Sequence, residues 1–368
     1  MPRKGWDWVL NEVRTSFVPQ PALNPSHPRT SLQDVAREAG VSLATVDRVL
    51  HGRPGVQTRT IARVNEVVQR IGFRPDPAAP RLARGRRYSL CFVLPAGSNS
   101  FVGLLAEQVQ AVAGWLGEQR ARAGVETVDR FAPEALARHL GGLRGKHDAV
   151  IVMALDHPLV RAAIDELVDQ GTQVLTLVSD VPSSRRARFV GIDNVAAGRT
   201  AATLLGRFCG PQASGPVAVV LGSLGLRDHA ERLFGFHQVL AAEHPGLPVL
   251  PAIEGQDRSE LTGPRLRELL AREPGLVAIY SAGAGNRGIQ AVLAEHPRGR
   301  PIVWVCHELT ASARRALLDG TADAVIHQDP GHEVRSACRL ALAALAREQV
   351  LPDQERIGID IFVKDNLP

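Results

Sequence analysis

Apolar positions in residues 30–73 recur at helical spacing. In "LQDVAREA", Leu32, Val35, Ala36 and Ala39 share one face, and Ser31 with Asp34 has the spacing of a capping box. In "LATVDRVL", Val46, Val49 and Leu50 point inward and Ser42 is placed to cap the helix start. Ile61, Val64, Val67, Val68 and Ile71 form a third stripe from Thr58 to Ile71. Gly40 supplies a tight turn between the first two helices, and "HGRPGV" reads as a loop. Two helices joined in this way within a three-helix unit predict a helix-turn-helix over 30–74.

From Tyr88 onward the period changes. Short apolar runs alternate with amphipathic helical stretches. The runs are "SLCFVL", "AVIVM", "QVLTLV", "RFVGI", "VAVVL", "VAIYS", "PIVWVC" and "DAVIH". Helices are expected over 102–116, 134–143, 159–170, 195–208, 230–242, 261–272, 286–295 and 333–347. Continuous apolar strands between helices imply parallel sheets covered on both faces. The units exceed one comfortable sheet, so the expected fold is a small all-α head plus an α/β body, residues 88–368, of two doubly wound parallel-sheet lobes.

The flanking segments differ. Residues 1–29, with "PQPALNPSHPR", read as a disordered leader, or as an extension from a start codon assigned too early. Residues 75–87, within "RPDPAAPRLARGRR", read as a linker rich in proline and arginine. The leader has no uninterrupted apolar stretch of signal-peptide type, and no uncharged apolar run reaches the ~18 residues of a spanning helix, so a cytoplasmic protein without membrane contact is expected.

Charge sharpens the division. The net charge is +5, but residues 1–87 carry 15 Lys+Arg against 7 Asp+Glu, and the rest of the chain is slightly acidic. A basic head on an acidic body favours a polyanionic partner, with a solvated basic surface as the plainer alternative. Cys91, Cys209, Cys306 and Cys338 lie far apart with no CxxC pair, so buried free thiols are expected, with no metal and no cofactor. No GxSxG, HExxH or GxGxxG after a first strand occurs, so no catalytic residues are assigned and an enzyme is not expected.

The stretch "TSLQDVAREAGVSLATVDRVLHGRPGVQTRTIARVNEVVQRIGFRPD" resembles the DNA-binding head of the lactose-repressor (LacI/GalR) family of bacterial regulators. More loosely, "FVGIDNVAAGRTAATLL", "ERLFGF", "LLDGTADAVIHQDP" and "IDIFVKDNLP" resemble that family's effector domain, whose fold is that of periplasmic sugar-binding proteins. The resemblance implies a homodimer on double-stranded operator DNA. The helix from Leu43 to Leu50 would enter the major groove. Leu43 and Ala44 hold the base-choosing positions, where they can meet a thymine methyl but form no bidentate contact. Thr45 and Arg48 remain as polar readers, while Ser31, Ser42, His51, Arg53 and Thr58 would meet phosphates. Asp47 pairs with a cation, accepts from a cytosine amino group, or is only a solvated charge. In "DPAAPRLARG", Leu82 would be a minor-groove wedge with Ala79 beside it; Pro80 is unexpected in a helix there, and an extended linker touching phosphate is the other reading.

The same resemblance places an effector, a sugar or polyol, between the lobes. Its implied contacts are Asn99, Ser100, Phe101, Asp180, Arg232, Asn286, His307, Glu308 and Gln328. The family's usual Asn-Asp pair is replaced by "SAGAGN", and its usual aspartate by His307 and Glu308. The implied function is a ligand-responsive repressor. The competing reading is a sugar-binding sensor whose head contacts another protein.

Overall fold

The computed structural model describes residues 31–50, 54–73, 87–97, 99–129, 131–283, 285–295, 302–351 and 353–368. The expected leader, His51, Arg53, Ala79 and Leu82 lie outside the described residues. The chain divides into two compact units, Met1–Ala79 and Pro80–Pro368.

The first unit contains α1 (Leu32–Ala39), α2 (Leu43–Leu50) and α3 (Thr58–Arg70). Ser31 and Asp34 form a reciprocal capping box at the start of α1, and Gly40 ends it in the left-handed conformation at φ 59°. That turn lets α2 start three residues later, at Leu43. The Ser42 hydroxyl accepts from the Thr45 amide at 3.2 Å. Val35, Ala36, Ala39, Val46, Val64, Val67 and Phe73 form the core. An ion pair from Arg70 to Glu38 (2.9 Å) ties α3 to α1.

The second unit holds two sheets. The first has the order β2-β1-β3-β4-β5, from β1 (Tyr88–Pro95), β2 (Ala121–Val128), β3 (Ala149–Val152), β4 (Gln173–Leu177) and β5 (Arg188–Val190), all parallel. The second comprises β6 (Val217–Leu221), β7 (Ile253–Glu254), β8 (Ala278–Ser281), β9 (Val303–His307), β10 (Ala324–His327) and β11 (Asp360–Phe362). Its order is β11-β10-β9-β8-β6-β7, parallel except for the antiparallel edge strand β11.

Helices fill the connections: α4 (Ser100–Ala111), α5 (Ala113–Glu118), α6 (Pro133–Gly142), α7 (Pro158–Asp169), α8 (Asn194–Cys209), α9 (Arg227–Glu243), α10 (Ser259–Arg272), α11 (Asn286–Glu295), α12 (Ala311–Leu318) and α13 (Pro330–Ala346). The helix expected over 102–116 is divided at Val112, whose ψ of 0° leaves the helical region. β2, β7, β11 and α12 were not anticipated. β2, "ARAGVETV", is a half-exposed edge strand with charged residues and a glycine, so it lacks the apolar run that marks buried strands.

The path of the chain matters for function. It leaves the first lobe after β5, returns after β10 as α13, which packs against β1, β3, β4 and β5, and enters the second lobe again as β11. Interleaved crossovers of this kind make the two lobes one body, joined at a waist where the chain crosses between the sheets. The carboxyl ends of both sheets face the space beside that waist, where open α/β sheets bind ligands.

Candidate functional site

On α2 the apolar seam is buried at Val46, while Ser42, Leu43, Ala44 and Arg48 are exposed. Leu43, at 46% exposure, is a large apolar side chain left in solvent on a helix that has a core elsewhere. Thr45 and Asp47 are half-buried, and the Thr45 hydroxyl lies 2.9 Å from that of Ser42. Ser31 and Thr58 stand exposed at the starts of α1 and α3.

In the second unit, a cleft of about 580 Å³, mouth included, is lined from both lobes. Asn99, Ser100 and Phe101 enter it at the start of α4, and Met153 and Val178 follow β3 and β4. The other lobe contributes Arg232 from α9, Asn286 from α11, His307 and Glu308 at the end of β9, and Gln328 after β10. These residues are distant in sequence and meet in the cleft from strand ends, loops and the N-terminal halves of helices.

Asp180 does not line the cleft. Val178, with φ 64°, turns the chain sharply after β4 and itself faces the cleft. Asp180 is carried aside, where it accepts from the Arg186 guanidinium, the Thr176 hydroxyl (2.6 Å) and the Val181 amide (2.8 Å). Burial alone would raise its pKa, but the Arg186 and Thr176 hydrogen bonds hold the carboxyl below its usual range. It is a structural ion pair.

Arg232 is the buried cation of the cleft, 2% exposed. Its Nε donates to Asn194 Oδ1 at 2.8 Å and its Nη1 to the Ala282 carbonyl at 2.9 Å, while Nη2 has no hydrogen-bond partner. His307 Nε2 lies 2.9 Å from the Tyr280 hydroxyl, and its Nδ1 is unpartnered. Burial, reinforced by Arg232, His229 and His327, pushes the His307 pKa well below 6.5, so the ring is neutral at physiological pH. Burial also raises the Tyr280 pKa, so its hydroxyl keeps its proton. Gln328 Nε2 donates to Glu308 Oε1 at 2.8 Å, which leaves Gln328 Oε1 as an unused acceptor.

Asn286 has structural work: it accepts from the Ser281 hydroxyl (2.6 Å) and donates to the His307 carbonyl (2.9 Å). Asn286 nevertheless lines the cleft, and so does His229, which was not expected there. A Cβ at Gly283 would lie 2.7 Å from His229 Nε2, so the glycine is what admits the ring. The Gly222 and Ser223 amides donate to His229 Nδ1 (3.2 and 3.4 Å), so Nδ1 serves as an acceptor.

Sequence reasoning also missed Asp257, Thr310 and Ser312 as lining residues, since none sits in a recognisable motif. Asp257 Oδ2 accepts from Asn99 Nδ2 at 3.3 Å, and Asp156 lies 3.4 Å from Arg227, so polar contacts join the lobes across the mouth. Val178, Asp257 and Glu308 all have positive φ (64°, 56° and 68°). Left-handed backbone at non-glycine residues costs roughly 1–3 kcal/mol each and tends to cluster at binding sites.

The small helical unit and the two-lobed body with a polar cleft define a class: a helix-turn-helix head joined to a two-lobed binding-protein-like domain. Residues 31–76 match the model for bacterial regulatory proteins of the lacI family, and residues 90–349 match the model for the periplasmic binding protein domain. The chain thus belongs to the periplasmic binding protein domain family and carries a lacI-family DNA-binding domain ahead of it.

Catabolite control protein A of Priestia megaterium is 40% identical over 83 residues, 23% of this chain and 25% of the relative. The chain therefore spans only about a quarter of the length of that relative. Among solved structures, GanP, a glucose-galactose binding protein from Geobacillus stearothermophilus, aligns with a TM-score of 0.69 at 22% identity, covering 77% of this chain and 99% of that one. A solute-binding protein from Burkholderia graminis in complex with D-arabinose gives 0.68 at 20% identity, covering 76% and 96%. These likenesses describe the fold. Among the described residues, no helix is long and apolar enough to cross a membrane.

Proposed function

We propose that this regulator is a repressor that binds operator DNA as a homodimer and is switched by a sugar or polyol in the cleft. The observation that carries the ligand reading is the set of buried polar atoms with spare capacity. Arg232 Nη2 donates and Gln328 Oε1 accepts; with Tyr280 donating to His307 Nε2, His307 Nδ1 is a second donor. A ligand with many hydroxyls, each both donor and acceptor, satisfies such a set. Phe101 supplies an apolar surface for a ring face. Two of the neighbouring folds are named for sugars, which agrees with this ligand class.

On DNA, the exposed side of α2 reads the major groove. Arg48 and Thr45 provide polar readout and Leu43 and Ala44 apolar contact with thymine methyls. Ser31, Ser42 and Thr58, with His51 and Arg53, meet phosphates; Ala79 and Leu82 serve the hinge. Asp47 offers a cytosine amino group an acceptor. The work is done in the cytoplasm, where the DNA is. Asn99–Asp257 and Asp156–Arg227 link the lobes across the mouth, so a ligand that fills the cleft favours the closed arrangement. Only a difference in affinity between two arrangements shifts operator binding.

The test is fluorescence anisotropy on the DNA upstream of the protein's own gene, at two salt concentrations, with a panel of sugars and polyols. Salt-dependent binding that one compound weakens is the expected result. Strengthened binding would reverse the sign to co-repression. Salt-insensitive behaviour, with no DNA bound, would favour a head that contacts protein.

A further inference from the structure

Away from the cleft, the outer edge of the first sheet gathers chemistry that the sequence had kept apart. Cys91 lies in β1, Glu126 in the edge strand β2, and His147 in the turn before β3. Their donor atoms, one from each residue, all lie within 4.8 Å of one another. His147 Nε2 is 3.7 Å from Glu126 Oε1. From α6, His139 Nε2 reaches to 3.1 Å from Glu126 Oε2. We propose that Cys91, Glu126 and His147 form a binding site for a zinc-class divalent cation, with His139 or a water as the fourth donor.

The donor set fits that ion. One thiolate, one or two imidazoles and a carboxylate form the mixed S/N/O sphere that zinc accepts, whereas calcium and magnesium take oxygen. Zinc–ligand bonds of about 2.0–2.3 Å place tetrahedral donors about 3.3–3.7 Å apart, so the cluster has to contract by only ~1 Å. The part that must move is Glu126, a long side chain at 42% exposure, while buried Cys91 stays fixed in its strand. There is room as well. Gly124 pairs with Cys91 in the β1–β2 register, and a Cβ built on it would meet nothing within 4 Å.

An outer support is already in place. His147 Nδ1 lies 3.0 Å from the Ser89 hydroxyl, which sets the ring so that Nε2 faces Glu126. The Ser89 amide donates to Asp148 Oδ2 at 2.8 Å, pinning the turn that carries His147 to β1. A bound ion would tie β1, the edge strand β2 and the turn before β3 together at the one strand pair with no further neighbour on that side.

Without an ion the thiol stays protonated: burial, with Glu126 beside it, pushes Cys91 up to about 12. Coordination must expel that proton to solvent, so apparent affinity rises with pH. Glu126 from β2, His139 from α6 and His147 from the turn are the titratable groups that face it.

The experiment uses the untagged full-length protein, stripped by a chelator and titrated with Co2+ as the spectroscopic stand-in for Zn2+. The expected result is one Co2+ per chain, with a thiolate-to-cobalt charge-transfer band and the visible spectrum of a tetrahedral site. Cys91→Ser should abolish the charge-transfer band, and His147→Ala or Glu126→Gln should weaken binding at least tenfold. Should Cys91→Ser not fold, as judged by circular dichroism, the two half-exposed positions decide alone. No charge-transfer band at saturating Co2+, a band that survives in folded Cys91→Ser, or unchanged affinity in both His147→Ala and Glu126→Gln would overturn the assignment.

Discussion

Gly198 on α8 packs directly against the backbone of Arg232 on α9: a Cβ at residue 198 would lie 1.9 Å from the Arg232 carbonyl oxygen. The helix that carries the cleft's buried cation is thus set by the absence of a side chain on its neighbour. Gly198→Ala must push α9 outward, with an overpacking cost of roughly 1–3 kcal/mol. Chemical denaturation should register that loss, and the ligand response should weaken with it, because the guanidinium moves with its helix.

Arg232→Lys keeps the charge but removes the fork that bonds Asn194 and Ala282. Effector binding should fall by about 1.5–3 kcal/mol, the worth of hydrogen bonds to a charged group, while operator affinity without effector stays the same. Calorimetry with the compound found in the screen measures the first quantity and anisotropy the second. Full effector affinity in the variant would remove Arg232 from the site.

Asp180→Asn separates the effector contact expected from the sequence from the ion pair seen in the structure. The residue bonds Arg186 and Thr176, so the variant should lose roughly 1–3 kcal/mol of stability by leaving a partly buried guanidinium underpaired. Effector affinity should not change. A loss of affinity without a loss of stability would return Asp180 to the cleft.

Glu333, in the first turn of α13, is fully buried, and neither carboxylate oxygen has a hydrogen-bond partner. Burial, then repulsion from Glu308, hold its pKa well above 4.5, with Arg232 acting in the opposite direction. Above 4.5 the unfolded chain gives up a proton that the folded protein keeps, so stability falls as pH rises toward the folded value. Glu333→Gln cannot ionise. Its melting temperature should match the parent in mild acid and exceed it at about pH 8. Parallel melting curves at both pH values would show that Glu333 does not titrate in this window.

Arg48→Ala tests the head. Arg48 is exposed on α2, so its removal should leave folding intact. Specific operator affinity should drop by about 1–3 kcal/mol, with a smaller loss on random duplex. Equal losses on both would make Arg48 a phosphate contact.

The sequence by itself determined the helical head, the buried parallel strands and most of the helices. Local periodicity fixes which face of each segment avoids water, and caps such as Ser31 and Asp34 act within one turn. Most of the cleft lining was legible too, but through the family resemblance and not through periodicity: Arg232 on α9, His307 at the end of β9 and Gln328 after β10 all line it. Tertiary structure decided the rest. Asp180 was diverted by the turn at Val178, a backbone choice that apolar patterning does not encode. His229 occupies space that Gly283 leaves, a relation across 54 residues between helix α9 and the loop after β8. Edge strand β2 was invisible because a half-exposed strand needs no apolar run, and with it went the meeting of Cys91, Glu126 and His147. Spacing along the chain reports only local metal motifs. Donors brought together by sheet order are set by which strands pair, and pairing is a property of the whole packed core.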